Sequence, residues 1–146
     1  MYSVKDILDE KGYDVFTIDP DASVYEALKK MAGQNVGALL VVKGDQVIGV
    51  FSERDYARKI ILMGKSSKDS KVGDLLSERI FYVKPTTKTI ECMQLMTDHK
   101  VRHLPVLDEG KLVGIVSIGD IVNKIIQDQT KTIQQLGDYI LGKTLP

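Results

Sequence analysis

Two stretches decide the fold: Ile48-Gly49-Val50-Phe51-Ser52-Glu53-Arg54-Asp55 and, 65 residues on, Val113-Gly114-Ile115-Val116-Ser117-Ile118-Gly119-Asp120. Both read G-x-x-S-x-x-D at the end of an apolar run. Working outward at the same offset, segments 16–56 and 81–121 align without a gap. Phe16 meets Phe81, Pro20 meets Pro85, Met31 meets Met96, Leu39 meets Leu104 and Val41 meets Val106. A shorter echo upstream pairs Val4 with Val72, Asp6 with Asp74 and Leu8 with Leu76 at an offset of 68. A register held over 41 positions is that of a duplicated unit.

Each copy predicts the same elements. A short amphipathic turn comes first, Val4-Ile7-Leu8 or Val72-Leu75-Leu76. A short strand follows and stops at Pro20 or Pro85. Next is a helix with an i, i+3, i+4, i+7 apolar stripe: Val24, Ala27, Leu28, Met31, or Thr89, Cys92, Met93, Met96. Ser23 and Glu26 form a capping-box pattern at its start, which Lys88 lacks in the second copy. Val36 to Val42 and Val47 to Phe51 then form a hairpin, as do Val101 to Leu107 and Leu112 to Val116. A second helix closes each unit, from Asp55 to about Leu62 and from Asp120 to about Ile126.

The fold class is therefore α/β, β-α-β-β-α twice. A unit of about 50 residues buries too little apolar surface to be secure alone. The copies are expected to pack sheet against sheet about a pseudo-twofold axis. The expected divisions are 1–63 for the first repeat, 64–70 for a polar linker, 71–127 for the second repeat and 128–146 for a tail helix. That tail carries Ile133, Leu136 and Ile140 at helical spacing and is expected to pack on the module or a partner.

Composition narrows the function. Lys plus Arg equals Asp plus Glu, 20 against 20, so no bulk charge draws the chain to nucleic acid or an anionic membrane. No apolar run approaches a bilayer span, and Met1 to Lys11 has no signal-peptide core. A single cysteine, Cys92, permits no intrachain disulfide and suits a reducing cytoplasm.

The repeated motif has two compatible readings. Ser, x, x, Asp before an apolar helix is a capping pattern, and an acid in the first turn suits the helix dipole. The same helix start offers unpaired N–H groups to an anion, and a carboxylate can accept from both hydroxyls of a ribose. The motif glycines, Gly49 and Gly114, would let a ligand approach the backbone.

In this two-copy layout the chain resembles the CBS-domain pair, or Bateman module. The words that carry the likeness are Ile48 to Tyr56, His103-Leu104-Pro105-Val106, and Val113 to Asp120. The resemblance runs from Val4 to about Ile126. It implies a cleft between the halves for an adenosine-containing ligand: AMP, ADP, ATP, NAD(H) or S-adenosylmethionine. Carried over residue by residue, it points to Ser52, Asp55, Ser117 and Asp120 near ribose and phosphate. It points to Val36, Val101, Arg102 and His103 along the adenine or phosphate, and to Thr17 and Tyr82 as backbone partners of the adenine edge. Arg54 and Arg102, absent from the opposite copy, can clamp an anion.

The resemblance implies a regulatory sensor acting on a separate protein effector, a homodimer, no enzyme and no metal. A purely structural dimerisation module with empty clefts is the alternative. Other signals are weaker. Gly64-Lys65-Ser66 lacks the leading glycine and the strand of a P-loop, and His103 falls in a strand, so His99 and His103 lack helical zinc geometry. Cys92 lies on the apolar helix stripe and is expected in the core.

Overall fold

The computed structural model describes residues 1–76 and 79–140; the side chains of Thr132 and of 135–140 lie outside that description. The first half runs α1 (Val4–Lys11), β1 (Thr17–Ile18), α2 (Val24–Gln34), β2 (Ala38–Lys43), β3 (Gln46–Ser52) and α3 (Glu53–Asp55, continuing as a π-helical turn Tyr56–Ile61). The second half runs from a 3₁₀ turn (Val72–Leu75) through α4 (Thr89–His99), β4 (His103–Asp108) and β5 (Lys111–Ser117) to α5 (Ile118–Ile140).

Local chemistry sets these bounds. Ser23 Oγ accepts the Glu26 N–H at 3.1 Å and starts α2, whereas Lys88 gives α4 no side-chain cap. Both helices end on a left-handed residue, Asn35 (φ 54°) and Lys100 (φ 55°). Asparagine tolerates that conformation better than lysine, so α4 is uncapped at its start and the more strained at its end. The hairpins β2–β3 and β4–β5 are antiparallel and share a register shift after Val41 and Val106 respectively. β1 joins β2 in parallel, Thr17 opposite Leu40. In the second copy that strand shrinks to one bridge between Val83 and Val106.

Leu39 and Val41 face the helices of the first half, and Leu104 and Val106 those of the second. Leu40 and Pro105 point to the opposite faces by alternation and are buried as well. They mark the seam where the halves meet sheet to sheet, with β3 lying against β4.

The leading turns are exchanged between the halves. Val4, Ile7 and Leu8 of α1 pack with Val83, Cys92, Met96 and Val116 of the second repeat. Val72, Leu75 and Leu76 pack with Val24, Met31 and Phe51 of the first. Backbone bonds fix the exchange: Val4 N–H to Thr87 O (2.9 Å) on one side, Val72 N–H to Ala22 O (3.0 Å) on the other. A Cβ on Gly114 would lie 2.9 Å from a Leu8 methyl, and one on Gly49 2.8 Å from a Leu76 methyl. The motif glycines thus make room for leucine, and Gly49 also lines a cleft between the halves.

The end of the chain also differs from expectation. A break was expected near 127–130, but α5 continues through it. No glycine or proline interrupts the sequence between Asp120 and Leu136, so nothing ends the helix there. Of the apolar tail residues, Ile133 is exposed, while the Leu136 and Ile140 side chains lie outside the described residues. Among the described residues no helix is long and apolar enough to cross a membrane.

Leu8 is fully buried in the second repeat's core. Leu8→Ala is therefore expected to cost roughly 2–5 kcal/mol. Hydrogen exchange should show amides of β4 and β5 losing protection before those of β2 and β3. Urea unfolding measures the first effect, and exchange with mass detection the second.

Candidate functional site

Both copies of the motif fold as capping boxes. Ser52 Oγ accepts the Asp55 N–H at 3.2 Å, while Asp55 Oδ2 accepts from the Ser52 N–H at 2.9 Å and from its hydroxyl at 3.0 Å. Asp120 Oδ2 accepts the Ser117 N–H at 2.9 Å, and Ser117 Oγ the Asp120 N–H at 3.2 Å. In each case the cap fixes the carboxylate at the mouth of a helix.

Their surroundings diverge. Asp55 Oδ1 has Lys59 at 3.5 Å, and that ammonium also donates to Leu75 O at 2.9 Å. Asp120 Oδ2 accepts directly from Lys11 at 2.8 Å, and Lys11 donates as well to Ile115 O at 3.1 Å. Lys11 is the last residue of α1, so the exchanged helix delivers it.

The exchange and the seam create two clefts, each walled by both halves. In the first, Ser52, Arg54 and Asp55 face Val101, Arg102 and His103. Phe81 closes one side, its ring stacked on His99 with centroids 3.9 Å apart. Arg58, Lys59, Arg79 and Lys100 complete a strongly cationic lining. The charges press on one another: Arg102, then Arg58, hold the Arg54 guanidinium below its usual pKa.

In the second cleft Val36 and Ser117 come together with Phe16, Ala38, Asp14 and Lys11. Asp120 lines a neighbouring hollow with Glu10, Lys11 and Lys124 instead. His103 lines both clefts. Burial lowers its pKa, with Lys11 and Arg102 pushing the same way against Asp120 and Asp55.

Six of the residues singled out in the sequence thus share one cleft: Ser52, Arg54, Asp55, Val101, Arg102 and His103. Thr17 and Tyr82 line neither; the preceding residues, Phe16 and Phe81, do. The Thr17 carbonyl accepts from Lys30 instead, and Tyr82 is half exposed. Sequence reasoning missed Arg58 and Lys59, one helical turn beyond Asp55, and Lys11. Helical spacing could have found the first two. Among the described residues no group of three or more His, Cys, Asp or Glu side chains has the arrangement of a metal site.

Burial alone would raise the Asp120 carboxyl, but the Lys11 ammonium and the Ser117 N–H outweigh it and hold the group below its ordinary value of 3.8. A depressed carboxyl stabilises the fold above its unfolded pKa, and that stability is lost as pH falls through the folded value. Asp120→Asn should therefore be less stable than the parent by about 1 kcal/mol at pH 7. Paired urea melts across acid pH should show the gap closing below about 3.8.

Comparison with known proteins places this architecture. The CBS domain family matches residues 4–62 and again 72–127. The chain is 42% identical over 149 residues to the CBS domain-containing protein CBSX3, mitochondrial, of Arabidopsis thaliana, covering 96% of this chain and 72% of that protein. It is 33% identical over 121 residues to the CBS domain-containing protein YhcV of Bacillus subtilis, covering 83% of this chain and 84% of that one. Among solved structures, a protein with CBS domains from Burkholderia ambifaria superposes with a TM-score of 0.83 at 48% identity, covering 88% of this chain and 96% of that one. The CBS domain pair of protein MJ0100, in complex with 5′-methylthioadenosine and S-adenosyl-L-methionine, shares the fold at 22% identity and a TM-score of 0.76, covering 88% of this chain and 98% of that one. The duplicated unit, the seam between its sheets and the matches to both halves agree: this chain belongs to the CBS-domain family, with two copies in tandem.

Proposed function

We propose that this chain is a regulatory sensor that binds an adenine nucleotide (AMP, ADP, ATP or NAD(H)), does not turn it over, and acts on a separate protein partner. The observation that carries the reading is the meeting of Asp55 and Arg54 from one repeat with Arg102 from the other in a single cleft. A carboxylate with lone pairs to spare suits ribose hydroxyls, and guanidinium groups suit phosphate. Asp55 Oδ2 serves the cap, which leaves Oδ1 for the ribose. Phe81 and Val101 offer an apolar wall to the base. The complex of the MJ0100 pair with adenosyl ligands lends the same fold a precedent for this ligand class.

Binding to one arrangement of the halves better than another would shift the population towards it, and that shift is the signal. The sensor is proposed to work as a homodimer. Exposed apolar side chains lie at equivalent ends of α3 and along α5: Ile61 (55%), Leu62 (76%) and Met63 (65%), and Val122 (37%) and Ile126 (53%). We place the chain in the cytoplasm. Cys92 is buried, and burial first, then the charge of Glu91, pushes its thiol up to about 11, so it is an inert core residue.

Adenine nucleotides should raise the melting temperature, since a ligand bound only to the folded state stabilises it by mass action. Asp55→Asn should weaken AMP binding by on the order of 10- to 100-fold, the loss of a charged hydrogen bond. Arg102→Ala should weaken AMP while leaving adenosine nearly unchanged. Calorimetry reads both, and chromatography after incubation should return ATP and NADH intact. No thermal shift with any adenine ligand would favour the structural dimerisation module. In light scattering the parent should run at twice the mass of an Ile61→Asp, Ile126→Asp double variant.

A further inference from the structure

The two clefts are related by the repeat but unequal in charge. Take the cations of the Asp55 cleft and read their counterparts 65 residues away. Arg54 corresponds to Gly119, Arg58 to Asn123, Lys100 to Asn35 and Arg102 to Gly37. Lys59 corresponds to Lys124, which is buried against Glu10 and the Tyr2 ring. Each of these five cations meets an uncharged or neutralised residue on the other side. Among the described residues no carboxylate forms an ion pair with Arg54, Arg58, Lys100 or Arg102.

The ribose acceptors differ in the same direction. Asp120 is engaged by Lys11 at 2.8 Å, whereas the nearest ammonium to Asp55, that of Lys59, stands at 3.5 Å. Lys11 lines the second cleft, and the Asp120 carboxylate lies in the hollow beyond it. Size points the other way, since the second cleft holds about 330 Å³ and the first about 190 Å³. Charge decides between them for an anionic ligand. A polyphosphate entering the second cleft would meet Asp14 and a lysine already paired, while in the first it meets a field with one opposing carboxylate.

We infer that each chain holds one nucleotide, a phosphate-rich one such as a di- or triphosphate, in the Asp55 cleft, and that Lys11 occupies Asp120 in place of a second ligand's ribose. This inference rests on the nucleotide-binding reading and adds the ligand class, the stoichiometry and the internal cation that sets it.

Calorimetry on the intact protein with ATP, ADP, AMP and adenosine tests it. One equivalent of ATP per chain is expected, with affinity falling roughly 10-fold or more from ATP to AMP as charged contacts are lost. The ATP affinity should also fall steeply with added salt. Arg54→Ala should cost ATP a similar factor. Lys11→Met removes the internal cation and should open a second, weaker equivalent for adenosine or AMP, while Lys11→Arg keeps the ion pair and stays at one. Retention of the ATP site in Lys11→Met reports that the variant is folded. Two equivalents of ATP on the parent, equal affinity for ATP and adenosine, or a folded Lys11→Met variant that stays at one equivalent would each overturn the inference. The first two leave the nucleotide-binding reading standing, whereas absence of binding by all four ligands overturns both.

Discussion

Leu8 sits against Gly114, and Leu76 against Gly49, closely enough that a Cβ on either glycine would fall within 3 Å of a leucine methyl. Each contact crosses between repeats. Neither half completes its core without a turn donated by the other, and for units this small the donated leucine and valine are a large share of the buried apolar surface. The exchange also positions charge. It carries Lys11 to Asp120 at one motif and the Leu75 carbonyl to Lys59 at the other. The charge at the second motif is therefore set by the segment that closes the second core.

The capping geometry explains why one motif can serve two purposes. A cap must hold a serine and a carboxylate in fixed positions at the start of a helix, or the first N–H groups go unsatisfied. Fixing them for the helix also fixes them for a ligand, so pre-organisation comes without added ordering cost. The two sites differ in what takes the remaining lone pairs. At Asp120 a protein ammonium does so, and at Asp55 a distant one only partly.

Much of this was legible in the sequence because it is local. The repeat, the hairpins and the stripes of α2 and α4 depend on spacings of a few residues, and the unequal caps at Ser23 and Lys88 were visible one by one. The exchange was not. The stripe Val4-Ile7-Leu8 says that something must cover it, and either repeat would satisfy the pattern. Lys11 and Asp120 are 109 positions apart, so no periodicity links them. Thr17 and Tyr82 came from the resemblance, as backbone partners, and a strand of two residues has too little alternation to show that Phe16 and Phe81 line the clefts instead. The second helix was expected to stop at about Ile126, whereas α5 obeys the lack of a breaker.

Under the proposed function the fold would also supply a path from ligand to partner. α3 and its π-helical turn begin at Ser52, beside Asp55 and Arg54, and run into Ile61, Leu62 and Met63, which are exposed. α5 begins next to Ser117 and presents Val122 and Ile126 in the same way. Under the proposed function the nucleotide meets one end of α3 and the second copy or effector meets the other. The Asp55 cleft is walled by both repeats, so a ligand there restrains the angle between them. That angle fixes how the two apolar ends are presented. A partner that favours one presentation must then alter nucleotide affinity by the same factor, because coupling between two sites on one equilibrium is reciprocal. Lys11 bears on the same scheme, because through Asp120 it ties α1, the segment that closes the second core, to the start of α5.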